Sequence, residues 1–245
     1  QRLKYGLPVI LMGETGCGKT RLVKFLAQTL DFRLFTLDVH GGITDDTIMA
    51  FLDQAIMDCD DTQGVLIFFD EINAANCMAL FKTIIIDRVY GNKQIPDNIR
   101  LISCCNPYRL RKNNEMEAVA LVYQHSTGDG TKSGISDPMK RLVYRVHPLP
   151  ESLIDVVSDF GSLTAKSEEI YINAILRKEL PKFEETSAEG SAAATDGLEG
   201  NSEYDVFVNA FKDLLCKSQI FVREVNDGER SVVSMRDIAR AARVF

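Results

Sequence analysis

The sequence predicts an α/β fold: a parallel sheet sandwiched by helices, followed by a small C-terminal helical lid. Three observations carry this. Short apolar runs alternate with helix-phased segments through the first half of the chain. One run, "VLIFFD" at 65–70, is apolar without alternation, as expected of a central parallel strand covered on both faces. Beyond Pro150 only helix-phased segments remain. A chain of 245 residues accommodates one domain with a smaller companion. The expected division is an α/β subdomain over 1–150 and a helical subdomain over 151–245.

In order along the chain, "LPVILM" (7–12) reads as a short buried strand that runs into "GETGCGKT" (13–20). "KTRLVKFLAQTL" (19–30) follows as a helix, with Leu22, Val23, Leu26 and Leu30 at helical spacing. "FRLFTLDV" (32–39) is a second strand. "HGGIT" then turns the chain into a helix starting near Asp45, with Ile48, Leu52 and Ile56 on one face. After the strand at 65–70, "ANCMALFKTIIID" (75–87) keeps helical phase despite its isoleucines, and "IRLISCCN" (99–106) is another buried strand. Residues 125–137 are Gly/Ser-rich and polar, a loop. "RLVYRVHPLP" (141–150) reads as the last strand of the sheet. Helices are predicted at 151–160, 167–180, 205–219 and 234–245, with the acidic, Ala/Gly/Ser-rich stretch 184–203 as a flexible insertion.

Composition narrows the function classes. Hydrophobic residues at 45% and charged residues at 26% are ordinary globular values. A net charge of −7 and a pI near 5.1 argue against a large nucleic-acid footprint. The acidity is uneven: residues 184–205 hold seven acids and no Lys or Arg. No apolar run reaches the roughly 18 residues of a membrane helix, so no transmembrane segment is expected. The residues before the glycine loop are too few for a signal peptide, and Gln1 in place of Met suggests a piece of a longer chain. The six cysteines form no C-x-x-C and only three histidines are present, so no zinc module is expected. Cysteines in apolar segments suit reduced thiols and a cytoplasmic location. Cys17, inside the glycine loop, reads either as a space-filling loop residue or as a thiol made reactive by a helix N-terminus.

The chemistry begins with G-x-x-x-x-G-K-[ST], met by Gly13, Gly18, Lys19 and Thr20 between a strand and a helix. The loop of Gly13, Glu14, Thr15, Gly16, Cys17 and Gly18 is expected to curl backbone N–H groups around a β-phosphate. Lys19 would bridge the β- and γ-phosphates, and Thr20 would ligate Mg²⁺. Asp70 ends a buried strand, where it can support the Mg²⁺ through water. Glu71 follows as a candidate base that polarises the attacking water. Asn106, at the end of "IRLISCC", would place an amide between the carboxylate-bearing elements to orient that water. Arg236 opens the helix "SMRDIAR", where Ser234 and Asp237 resemble a capping box, and could reach a phosphate. Arg141 is a candidate to act on a neighbouring subunit's nucleotide, with Arg145 as the competing residue. His40, after the second strand, reads equally as a plain turn residue or, as a resemblance of these motifs to AAA+ proteins implies, as a restraint on the catalytic Glu.

In this order, "GETGCGKT", "FFDEIN", "CCN" and "SMRDIAR" resemble the Walker A, Walker B, sensor 1 and sensor 2 of an AAA+ P-loop NTPase, across nearly the whole chain. The acid pair followed by Ile-Asn resembles the branch that contains dynein, midasin, MoxR and the GTPase McrB. "PVILMGETGCGKTRL", "VHGG", "CNPYR" and "LVYRVHPLPESLIDVVSDFG" are more specifically similar to the mysterin family of giant AAA+ E3 ubiquitin ligases. The resemblance implies an ATP- and Mg²⁺-dependent ATPase within a ring of fused AAA+ modules. Its partners would be neighbouring modules and, through other regions of the parent protein, the ubiquitin machinery. A ligase zinc region is absent from these residues, and the acidic insertion has no family role. A non-hydrolysing module that holds ATP, or a GTP-using motor like McrB, are the alternatives.

Overall fold

Five parallel strands make the sheet on which the site is built. They are β1 (Val9–Gly13), β2 (Arg33–Asp38), β3 (Val65–Asp70), β6 (Ile99–Cys105) and β7 (Val157–Gly161), with a two-stranded hairpin of β4 (Val89–Tyr90) and β5 (Lys93–Gln94) before β6. The computed structural model describes residues 1–58, 64–110, 139, 142–180, 203–225 and 233–244. The chain divides into two units, 1–162 and 163–245.

The strand order is β2-β3-β6-β1-β7, so the late strand β6 inserts between β1 and β3. Met12 of β1 lies beside Cys105 of β6, Phe69 of β3 beside Ser103 of β6, and Asp38 of β2 beside Asp70 of β3. Because every pairing is parallel, the chain leaves β1, β3 and β6 at one edge of the sheet. Ligands of open α/β sheets bind at such carboxyl ends.

Period two along β3 explains its unbroken apolar run. Val65, Ile67 and Phe69 pack with Ile48, Leu52 and Ala55 of α2 (Asp45–Met57) and with Phe81, Ile84 and Ile85. Leu66 and Phe68 turn to the other face, against Val23 and Ala27 of α1 (Lys19–Thr29). Both faces are therefore dry, and each large side chain contributes roughly 1.5–3 kcal/mol by leaving water. α2 starts where expected because the Thr44 hydroxyl accepts the Thr47 N–H at 3.3 Å. In α1 the core stripe is Lys19, Val23 and Ala27, whereas Leu30, expected on that face, is 47% exposed.

Three expectations are corrected. The segment 75–87 is helical only from α3 (Met78–Lys82), which passes into a π-turn at Thr83–Asp87. The stretch 141–150 gives no sheet strand: Leu142 makes one isolated bridge to Leu110, and 145–150 is irregular. Pro148 and Pro150 remove two ladder donors within three residues, which a strand beside β1 cannot tolerate. The last strand of the sheet is instead β7, which pairs with the free side of β1 and falls largely in the stretch 151–160 read as helix; only α4 (Glu151–Ile154) is helical there. Residues up to Ser162 thus fall in the sheet-bearing unit, beyond the boundary placed at 150.

The second unit contains α5 (Ala165–Glu179), α6 (Glu203–Val225) and α7 (Met235–Val244) among its described residues. They close on Ile172, Leu176, Val208, Phe211, Ile238 and Ala242. The insertion expected at 184–203 lies almost wholly outside the described residues.

Candidate nucleotide-binding site

Gly13 ends β1 where a side chain would be crowded. A Cβ there would meet Gly161 O at 3.0 Å and the Cys17 Sγ and Phe160 Cβ at 3.1 Å. Gly16 and Gly18 have φ of 81° and 97°, the left-handed turn that carries the chain from strand to helix. Gly18 caps α1 without any side-chain hydrogen bond, so the first amides of the helix are left to an external acceptor.

Lys19, the first helical residue, is 7% exposed. Its Nζ donates to Gly13 O at 2.5 Å, Glu14 O at 3.0 Å and Asn106 Oδ1 at 3.3 Å. All three of these acceptors are neutral oxygens, which leaves the lysine without a carboxylate among them, as an anion site requires. Thr20 Oγ1 donates to Asp70 Oδ2 at 2.7 Å. A hydroxyl and a carboxylate oxygen at contact distance are hard donors that suit Mg²⁺. Glu71 sits at φ 58°, ψ 41°, a left-handed conformation uncommon for a non-glycine residue. Its Oε1 accepts from Asn106 Nδ2 at 3.4 Å.

The structure therefore brings Gly13 to Thr20, Asp70, Glu71 and Asn106 together at one sheet edge. Arg236 lies in the first turn of α7, in the second unit, and is exposed. Arg141 is outside the described residues, and Arg145 is exposed in the first unit. His40 accepts the Gly42 N–H through Nδ1 at 3.2 Å, the turn role. Cys17 is 6% exposed and burial pushes its thiol above the usual range, as for a loop filler. Burial likewise pushes Cys105 up to about 12 and Cys104 higher still, so these thiols add no negative charge beside Lys19 at neutral pH.

Sequence reasoning missed three residues. Asn73 is 1% exposed; its Nδ2 donates to Asn106 O at 2.8 Å and its Oδ1 accepts the Asn106 N–H at 3.2 Å. This pair extends the β6 ladder by one step and fixes the backbone from which the Asn106 side chain projects. Arg109 and Tyr144 both reach Glu14: Arg109 forms an ion pair with Oε1 at 3.1 Å, and the Tyr144 hydroxyl donates to Oε2. Asn73 was legible as the last letter of "DEIN", and the other two as parts of "NPYR" and "LVYRV". Nothing local announces what they touch.

Residues 1–109 match the family model described as the RNF213 AAA domain. Over 259 aligned positions, the whole chain is 34% identical to the human E3 ubiquitin-protein ligase RNF213, or mysterin, and 32% identical to its mouse counterpart. The chain belongs to the RNF213 AAA domain family. It spans 5% of the length of these relatives. Among solved structures, a mutant of Thermotoga maritima RuvB matches with a TM-score of 0.42 and 15% identity, over 72% of this chain and 46% of that one. The parallel sheet with its glycine loop is the fold of a P-loop AAA domain, and that fold implies nucleotide binding. No helix among the described residues is long and apolar enough to cross a membrane.

Proposed function

We propose that this module binds ATP with Mg²⁺ in the glycine loop and hydrolyses it, serving as one ATPase station of a larger RNF213-like ligase. The observation that carries the reading is the convergence at Lys19: its ammonium touches the loop carbonyls on one side and the Asn106 amide on the other, and that amide reaches Glu71. The loop, Lys19 and the α1 amides would hold the β- and γ-phosphates. Thr20 would ligate Mg²⁺, with Asp70 holding it through water. Glu71 would take the proton from the attacking water, and Asn106 would orient that water; each role is worth roughly a hundredfold or more in rate. Arg236 would approach the γ-phosphate from the second unit. Arg141, or Arg145, would serve the site of the next module; an arginine in trans is worth roughly a thousandfold or more. The ATP state would be relayed to neighbouring modules, and through them to the ubiquitin-transfer region of the parent protein.

Equilibrium binding of fluorescent ATP and GTP analogues to the full-length protein, with and without Mg²⁺, tests the site. The reading expects ATP preference, Mg²⁺ dependence, and loss of this module's binding in Lys19→Ala. Unchanged binding in Lys19→Ala would remove the phosphate role. Preference for GTP would favour the McrB-like alternative.

A further inference from the structure

Glu14 is the second residue of the glycine loop, and its side chain points away from the phosphate cradle into contacts made from two distant stretches. Arg109 holds Oε1 at 3.1 Å. The Tyr144 hydroxyl donates to Oε2 and, in turn, accepts the Thr15 N–H at 3.4 Å. Both carboxylate oxygens are thus engaged, and the carboxyl side chain is only 15% exposed. The two stretches are also tied to each other, because Val143 N donates to Arg109 O at 2.9 Å and Leu110 bridges Leu142. The backbone of Glu14 is engaged no less than its side chain. Its N–H donates to Gly161 O at 3.3 Å, and its carbonyl accepts from Lys19 Nζ at 3.0 Å and Cys17 N at 3.3 Å. One residue therefore joins the phosphate-binding lysine to the Arg109 and Tyr144 stretches.

We propose that Arg109 and Tyr144 are positioning residues for the nucleotide, acting through Glu14 as a clasp that keeps loop 13–18 in its phosphate-ready shape. The proposal rests on the nucleotide site put forward above and names what sets its loop. Two physical arguments support it. An isolated carboxylate this close to the cradle would repel phosphate, and the Arg109 guanidinium offsets that charge. A glycine-rich loop has high conformational entropy, so three anchors on residues 14 and 15 lower the ordering penalty of nucleotide binding. The clasp lies on the loop side of Lys19, whereas Asn106 and Glu71 lie on the other. Its loss should therefore act on nucleotide retention and leave the chemical step largely alone. It also ties the loop to Tyr144, next to Arg145, so loop occupancy and the placement of that arginine are linked.

Two measurements on the full-length protein test this. In stopped-flow displacement of a fluorescent ATP analogue, Tyr144→Phe and Glu14→Gln should each raise the dissociation rate about tenfold. The double variant should fall well short of the product of the two singles, because both disrupt the Tyr144–Glu14 contact. Arg109→Lys, which keeps the charge, should retain much of the parent behaviour, while Arg109→Ala should not. In Tyr144→Phe, single-turnover hydrolysis of bound ATP should fall less than about twofold. Multiplying effects in the double variant, or parent-like dissociation in the singles, would overturn the clasp. The second measurement needs no nucleotide. Hydrogen exchange at the Thr15 amide should quicken in Tyr144→Phe, and unchanged exchange there would also overturn it. If exchange quickens while the parent fails to bind ATP, the nucleotide reading fails and the clasp stands.

Discussion

Asn73 shows how a single side chain can set a reactive geometry without touching substrate. Its amide replaces the missing next rung of the ladder at Asn106, with both hydrogen bonds made in a fully buried setting. Asn73→Ala leaves the Asn106 N–H and C=O unsatisfied, a penalty of about 2 kcal/mol in stability. It also frees the Asn106 side chain from its aim at Lys19 and Glu71. We expect ATP hydrolysis to fall about tenfold at nearly unchanged ATP affinity, measured as the single-turnover rate against the equilibrium Kd. A loss of affinity in step with the rate would assign Asn73 to the cradle itself. This residue also marks the limit of what the chain discloses on reading. Lys19 and Thr20 stand out because they close G-x-x-x-x-G-K-[ST], and Asp70 and Asn106 because each is a polar residue at the end of a mostly apolar run, where burial demands a reason. Asn73, Arg109 and Tyr144 act across 33 to 130 residues of sequence, and no local pattern encodes such a meeting.

The elements were legible wherever one face or both faces had to be dry. β3 follows from its unbroken apolar run, β6 from the largely apolar "IRLISCC", and α2 from Ile48 and Leu52 behind the Thr44 cap. The errors cluster at 141–161, where the apolar pattern of "RLVYRV" suited a strand but Pro148 and Pro150 ended any ladder, and the partly exposed β7 lacked a core signature. In the second unit, one polar tie carries a clear prediction. Arg223 of α6 forms a two-pronged pair with Glu168 of α5 at 2.8 and 3.0 Å and donates to Val233 O at 3.1 Å, before α7. Both side chains are less than 15% exposed. Arg223→Met strands the Glu168 carboxylate and should destabilise the second unit by about 3 kcal/mol, read as a lowered urea midpoint with an unchanged m-value. A midpoint equal to that of the parent would mean solvent reaches the pair freely.

Across the whole molecule, the sheet places the binding and hydrolytic candidates at one edge of the first unit. A chain spanning 5% of its relatives' length is consistent with further modules in the same protein. The central claim is that the site turns ATP over and does not merely hold it. The most direct measurement is ATP turnover and nucleotide retention in the full-length protein carrying Glu71→Gln, with Lys19→Ala as the binding-deficient reference. Glu71→Gln should keep this module's ATP affinity and lose its share of turnover by about a hundredfold or more, leaving ATP recoverable after rapid desalting. Turnover equal to the parent, with ADP recovered at the parent rate, would contradict a hydrolytic role for Glu71 and leave this station as a holder of ATP.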